Sequence, residues 1–190
     1  MSYSDFKFKG TVLNSNKSFF INMYGHDYFN RNWKKYYPDE SHNIVISKWY
    51  PAEPLVKWMY DLSVEKNLGF RELMIMNSKY VMEYNLNGVY KFFMKLGGIK
   101  RILISSSQLT KAYNNFSDLF NIESKDGFFR SEMTIPEMFS EFAVFGYEGG
   151  LGGLLNVCGK TMTEFRIIKS DSFMKQDIKY SKVTFELKYK

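Results

Sequence analysis

Apolar residues fall at helical spacing through the first two thirds of the chain and alternate with polar ones over much of the last third. Residues 5 to 13 alternate and end in Val12-Leu13, which predicts a strand, or a strand leading into a helix. Asn14 or Ser15 suits the N-cap of that helix, because a short polar side chain can accept from the free amides of a first turn. Phe19, Phe20, Met23 and Tyr24 follow at helical spacing, and Gly25 is a natural stop. A polar, aromatic segment from Asp27 to Ser41 contains the turn signal Tyr37-Pro38-Asp39 and reads as a loop. Residues 43 to 49 are β-branched and apolar enough for a short strand.

Pro51 and Pro54 sit where a helix can begin, since proline is tolerated in a first turn. Leu55, Trp58, Met59 and Leu62 then make an apolar stripe. Beyond Gly69 a second stripe runs through Leu73, Met74, Met76, Tyr80 and Val81, and a third through Val89, Phe92, Phe93 and Leu96 to the stop Gly97-Gly98. Ile99, Ile102, Leu103, Leu109, Tyr113 and Phe116 mark one more helical segment, with a break expected near Ser105–Ser107. After Asp126-Gly127 the pattern changes. Residues 128 to 134 alternate, Pro136 interrupts, Gly149 to Val157 reads as a short helix, and 161 to 168 and 179 to 189 alternate again. Helices followed mainly by strands predict an α+β fold with an antiparallel sheet. The expected layout is one domain over 1–190, helical over about 14–120 and mainly strand over about 128–190.

Composition supports a packed core: 45% of the 190 residues are hydrophobic and 18% aromatic. A chain of this length buries roughly 70% of the surface its unfolded form exposes. The formal charge is +6. Lysine far outnumbers arginine, and the basic residues are scattered: Arg31, Lys34 and Lys35 form one small group, and Lys95, Lys100 and Arg101 another. A nucleic-acid binder concentrates such charge in a stripe, so no nucleic-acid partner is expected. No run approaches eighteen apolar residues, which predicts no membrane span. The opening residues lack an apolar signal core, and the single cysteine, Cys158, allows no internal disulfide. A cytoplasmic location is the expectation.

Candidate chemistry is sparse. Leu154 to Thr161 ends like a phosphate-binding loop, yet Leu154 replaces its first glycine and the order of elements is inverted. The glycines from Gly146 to Gly153 do not meet the dinucleotide fingerprint, because Leu155 stands where its third glycine belongs. They suit close packing of a helix start against a sheet. His26 and His42 are sixteen positions apart and have no partners at metal-ligand spacing. Ser105, Ser106 and Ser107 lack a nucleophile elbow, and Asp39-Glu40 lies in a turn. The expectation is therefore no catalytic residue, no metal and no enzyme activity. The methionines and aromatics from Trp58 to Phe93 support two readings. They line an adaptable apolar pocket, or they are ordinary core.

Phe8-Lys9-Gly10-Thr11-Val12, Trp49-Tyr50-Pro51, Leu96-Gly97-Gly98 and Tyr147-Glu148-Gly149, with a short helix and a closing alternating strand, run over nearly the full chain. In these the sequence resembles a family of bacterial proteins abundant as paralogues in myxobacteria. That family is similar in turn to the superfamily of H-NOX haem sensors, 4-vinyl-reductase-type domains and Bet3-like TRAPP subunits, the ligand-binding fold of NO signalling and Golgi transport. The resemblance implies a helical layer on a four-stranded antiparallel sheet with a cavity between them, and sensing, ligand binding or assembly rather than catalysis. It places a ligand site near Trp58, Met74, Phe92, Phe93, Ile102 and Met133, for an apolar or amphipathic small molecule. The alternative it implies is a scaffold domain that acts through a dimer, formed on the helical face, or a protein partner. The H-NOX haem histidine has no counterpart between Leu96 and Leu109, and the Tyr-x-Ser-x-Arg propionate clamp is absent. An H-NOX-type haem is therefore expected to be missing. Cys158 does not occupy the position of the acyl-modified TRAPP cysteine.

Overall fold

The computed structural model describes residues 3–86, 103, 106–108 and 110–190. The expected helix through Val89 and Leu96 lies outside the described residues, as does the stretch from Ile99 to Ile102. After a short 3-10 turn, β1 (Lys7–Lys9) pairs antiparallel with β2 (Trp49–Pro51), Phe8 facing Tyr50. Of the two readings of 5–13, the strand leading into a helix is therefore the observed one, with a strand of three residues. It ends because the Gly10 amide donates to Lys48 O at 2.8 Å and the chain turns there into α1 (Gly10–Tyr24). Asn14 and Ser15 lie inside α1, so neither is its cap.

Residues 26–36 form α2 (His26–Tyr36), where the sequence pattern suggested a loop. Tyr28, Phe29, Asn32, Trp33 and Tyr36 are its buried face. Their spacing is helical, but the residues between them are strongly polar, and that masked the stripe. No strand forms over 43–48, where Val45 and Ile46 are exposed. Pro51 closes β2, and Pro54 alone sits in the first turn of α3 (Glu53–Glu65). Leu55, Trp58, Met59 and Leu62 are buried as the stripe predicts. Next come α4 (Phe70–Leu86) and helical residues at 103, 106–108 and 110–113.

β3 (Asp118–Lys125) turns through Asp126-Gly127 into β4 (Phe128–Pro136), with Gly127 in the left-handed region at φ 73°. β3 is an addition to the expected strands: Phe120 and Ile122 point to solvent, so its alternation runs against burial. A 3-10 turn leads into α5 (Ser140–Val157), longer than the helix expected from Gly149. β5 (Met162–Lys175) and β6 (Ile178–Tyr189) form a long hairpin. Its two turn residues, Gln176 and Asp177, both take positive φ, at 51° and 63°, which is the twist a tight hairpin needs.

The sheet order is β3-β4-β6-β5, antiparallel throughout. The register sets Phe129 opposite Leu187, Ser131 opposite Phe185 and Met133 opposite Val183, all buried. The α+β architecture and the four-stranded antiparallel sheet are thus as the sequence implied. Two aromatic clusters hold the layers. One joins α1, α2 and α3, with Phe20 stacked on Trp58 at 4.0 Å between ring centroids. The other ties the N-terminus to the sheet side through Phe6, Phe116 and Phe139, with centroids 4.9–5.7 Å apart. Asn115 fastens the same joint. Its Oδ1 accepts from Lys7 N at 2.7 Å, its Nδ2 donates to Asp5 O at 2.9 Å, and its backbone amide donates to Lys7 O at 3.3 Å.

Candidate functional site

Between the helices and the sheet lies a cavity of about 660 Å³. Four glycines of α5 shape it, in two pairs. A Cβ on Gly149 would lie 2.4 Å from Ile75 O, and one on Gly153 would lie 2.7 Å from Lys79 O. These two let α5 cross hard against α4, so the close packing expected of this segment is made on a helix and not on the sheet. Gly146 and Gly150 line the cavity itself. A Cβ there would meet only side-chain atoms, Ser78 Oγ at 3.3 Å and Met74 Cε at 3.4 Å for Gly146, and Met82 Cε at 3.5 Å for Gly150. The bare backbone leaves the space that larger residues would fill.

α1 and α4 give the cavity a wall that carries carboxamides and hydroxyls. Inside a helix such groups compete with the backbone, and here they are tied down pairwise. Ser15 Oγ donates to Thr11 O at 3.0 Å, and Asn85 Nδ2 donates to Ser15 Oγ at 3.1 Å. Asn16 Nδ2 donates to Val12 O at 2.8 Å, while its Oδ1 accepts from Asn77 Nδ2 at 3.0 Å. From the sheet side, β4 and α5 contribute Met133, Ile135, Phe142, Leu151 and Leu154. Ser106 donates to Leu103 O at 2.6 Å and lies at the base of an Asn121–Ser131 link, in which Ser131 Oγ donates to Asn121 Oδ1 at 3.0 Å. The ring of Tyr147 lines the cavity and packs on Phe185 at 5.0 Å. Its hydroxyl is shut off from solvent and has no hydrogen-bond partner among the described residues. Burial pushes this phenol up, offset in part by the Ser106 hydroxyl, which lies close by but outside bonding geometry. Tyr147 therefore stays protonated.

Of the residues singled out from the sequence, Met74 and Met133 line this cavity. Trp58 does not. It is buried in the helical layer, stacked between Phe20 and Tyr36, and it borders a shallow depression with Asp61 on the far side of α3. Phe92, Phe93 and Ile102 lie outside the described residues. The polar wall of Ser15, Asn16, Asn77 and Asn85 was not anticipated. Its signal is nonetheless in the chain, as Ser and Asn set into otherwise apolar helical faces.

The described residues lining the cavity are all uncharged. His26 opens α2 and His42 follows it, both exposed and neither lining the cavity. Cys158 caps α5, also away from the lining, and burial raises its thiol. Among the described residues no group of three His, Cys, Asp or Glu is placed to hold a metal ion. The described wall does not suit an H-NOX-type haem, which needs an axial ligand and cations for its propionates. The described phenol Tyr147 resists the deprotonation that ligation to iron requires, for the reason just given.

A helical layer, a four-stranded antiparallel sheet and a cavity between them define the H-NOX-like class of α+β domains. Solved structures bear this out. The chain matches an oxygen-binding H-NOX domain related to soluble guanylate cyclases with a TM-score of 0.70 and 14% identity, over 96% of this chain and 95% of that one. It matches an H-NOX protein from S. oneidensis in the Fe(II)NO ligation state at 0.69 and 14%, over 95% and 99%. A Tt H-NOX variant gives 0.71 and 14%, over 96% and 95%. No protein-family model and no curated protein sequence matches the chain. No described helix is long and apolar enough to cross a membrane.

Proposed function

We propose that this chain is a non-catalytic, sensor-like binding module of the cytoplasm that holds an apolar or amphipathic small molecule in the cavity between α1, α4, α5 and β4, with no haem and no nucleic-acid partner. The observation that carries the proposal is the cavity itself. Its volume of about 660 Å³ lies within the roughly 300–1,000 Å³ of small-molecule sites. It is kept open by Gly146 and Gly150 rather than filled. Three thioethers, Met74, Met82 and Met133, give it an adaptable lining, and Phe92, Phe93 and Ile102 belong to the same proposed site. Paired native and denaturing mass spectrometry with an absorbance scan tests it. The expected result is an extra mass that is lost on denaturation, with no Soret band. A bare protein mass under every preparation refutes the ligand, and a Soret band refutes the exclusion of haem.

A second reading, a dimerising scaffold, is favoured by β5. It is an edge strand whose residues 166–175 are all exposed, with Ile167, Ile168, Phe173 and Met174 among them. A long apolar edge invites another strand. Antiparallel pairing of two copies about Ser170 sets Lys169 of each against Asp171 of the other and Ile167 against Phe173. This moves the dimer from the helical face to the sheet. Sedimentation equilibrium of the native chain and of Ile168→Lys checks it: a dimer that the substitution dissociates supports the reading, and a monomeric native chain removes it.

A further inference from the structure

A carboxamide in the cavity wall has unused hydrogen-bonding capacity. Asn77, which is buried, spends one amide hydrogen on Asn16 and has no described partner for its Oδ1. Buried polar groups in native proteins are nearly always matched, so an acceptor with spare capacity in the cavity wall calls for a molecule that donates to it. The described lining is otherwise mostly apolar or already paired, and it carries no formal charge. A carboxylate, phosphate or ammonium placed there would lose its hydration without gaining a counter-ion from the described lining, which costs far more than the cavity returns.

Resting on the reading of the cavity as a ligand site, we infer that it selects a neutral amphiphile: an apolar body with a hydroxyl or secondary amide that gives a hydrogen to Asn77 Oδ1. Free fatty acids, lipid phosphates and haem, all anionic, are disfavoured by the same described wall. The neutral group is held on the α4 side, and the body lies along Met133, Ile135 and Leu154.

A matched pair of dyes tests this on the full chain. N-phenyl-1-naphthylamine is neutral with one N–H, and 8-anilino-1-naphthalenesulfonate has the same skeleton with an added sulfonate. Fluorescence titration is expected to show the neutral dye binding by about tenfold or more the tighter. Ala143→Trp, which fills the cavity, is expected to abolish that binding, and Asn77→Leu to weaken it by roughly three- to tenfold, the worth of one hydrogen bond. Circular dichroism and thermal unfolding establish that each variant folds, and Val81→Trp replaces Ala143→Trp if that variant does not. Equal affinity for both dyes, lost in the filled variant, overturns the charge selection and leaves the ligand site standing. Full affinity in Asn77→Leu overturns the polar contact. Binding of neither dye, or binding untouched by filling, overturns the ligand site and this inference together.

Discussion

Gly149→Ala is expected to destabilise the chain, while Gly146→Ala three residues earlier on the same helix is not. Both exchanges gain helix propensity, about 1 kcal/mol for glycine to alanine in a helix interior. They differ in what the new methyl meets. At 149 it falls 2.4 Å from Ile75 O and 2.7 Å from Ile75 Cα. These are backbone atoms of α4, which no rotamer change can move. α5 must retreat by roughly 1 Å to reach ordinary contact, and that loosens its crossing on α4. Overpacking of this kind costs about 1–3 kcal/mol, occasionally more, and a contact this short with backbone lies at the upper end, so the net loss is about 2 kcal/mol after the propensity gain. At 146 the methyl meets Ser78 Oγ at 3.3 Å and Met74 Cε at 3.4 Å. Both are side-chain ends, and the flexible thioether gives way into the cavity. The expected change there lies between zero and a gain of about 1 kcal/mol. Urea unfolding followed by far-ultraviolet circular dichroism reads both, since a shift in midpoint at constant slope is a change in stability. Equal effects at the two positions, or a Gly149→Ala variant as stable as the parent, would refute the reasoning.

Arg71 forks onto the buried Glu148 of α5, with contacts at 3.0 and 2.8 Å, and its own side chain is more than half exposed. Arg71→Met strands the carboxylate and is expected to cost about 1–2 kcal/mol, discounted for that exposure, in the same urea assay. A cost within error of zero removes the pair from the stabilising contacts. Hydrogen bonds from Arg130 and then Arg166 hold the Glu186 carboxyl below its usual range, and Tyr36 does the same for Asp61. Because these folded values lie below the unfolded ones, the stability they confer is present above about pH 4 and is lost as the pH falls through the lower folded values. The urea midpoint of Glu186→Gln is therefore expected to lie below that of the parent at pH 7 and to approach it as the pH falls below the usual carboxylate range, and parallel curves contradict the linkage. Trp58→Phe removes part of a stacked core side chain away from the cavity. It is expected to cost about 1–2 kcal/mol while leaving the affinity for N-phenyl-1-naphthylamine unchanged, and a lost affinity would place Trp58 in the site.

The strands at 128–136 and 178–189 were legible because one of their faces is buried, so that alternation and burial coincide. β3 and the far half of β5 were not, since both are edges whose apolar residues point to water. α2 was hidden by chemistry of the opposite kind. Its buried side is built from Tyr28, Trp33 and Tyr36, which are half polar, and the residues between them are charged or amide. The methionines of the cavity could be singled out from sequence, but Trp58 shares their composition and belongs elsewhere, because spacing along a helix does not say which neighbour the stripe faces. The polar wall needed the coordinates. Asn77 and Asn16 are 61 positions apart, and only the packing of α1 on α4 joins them.

The Asn115 clasp bears on how the molecule is made. It links the N-terminal strand to a residue 108 to 110 positions further along the chain. On a ribosome adding about 5–20 residues per second, Lys7 waits roughly 5–20 seconds for that partner to be synthesised, and longer for it to clear the exit tunnel. β1 can meet β2 well before then, and the three aromatic-rich helices can close on one another, because those contacts span a few dozen residues. Joining the two layers carries the entropy of a far longer loop. The cavity is thus assembled last, by a nascent chain whose helical half has already formed.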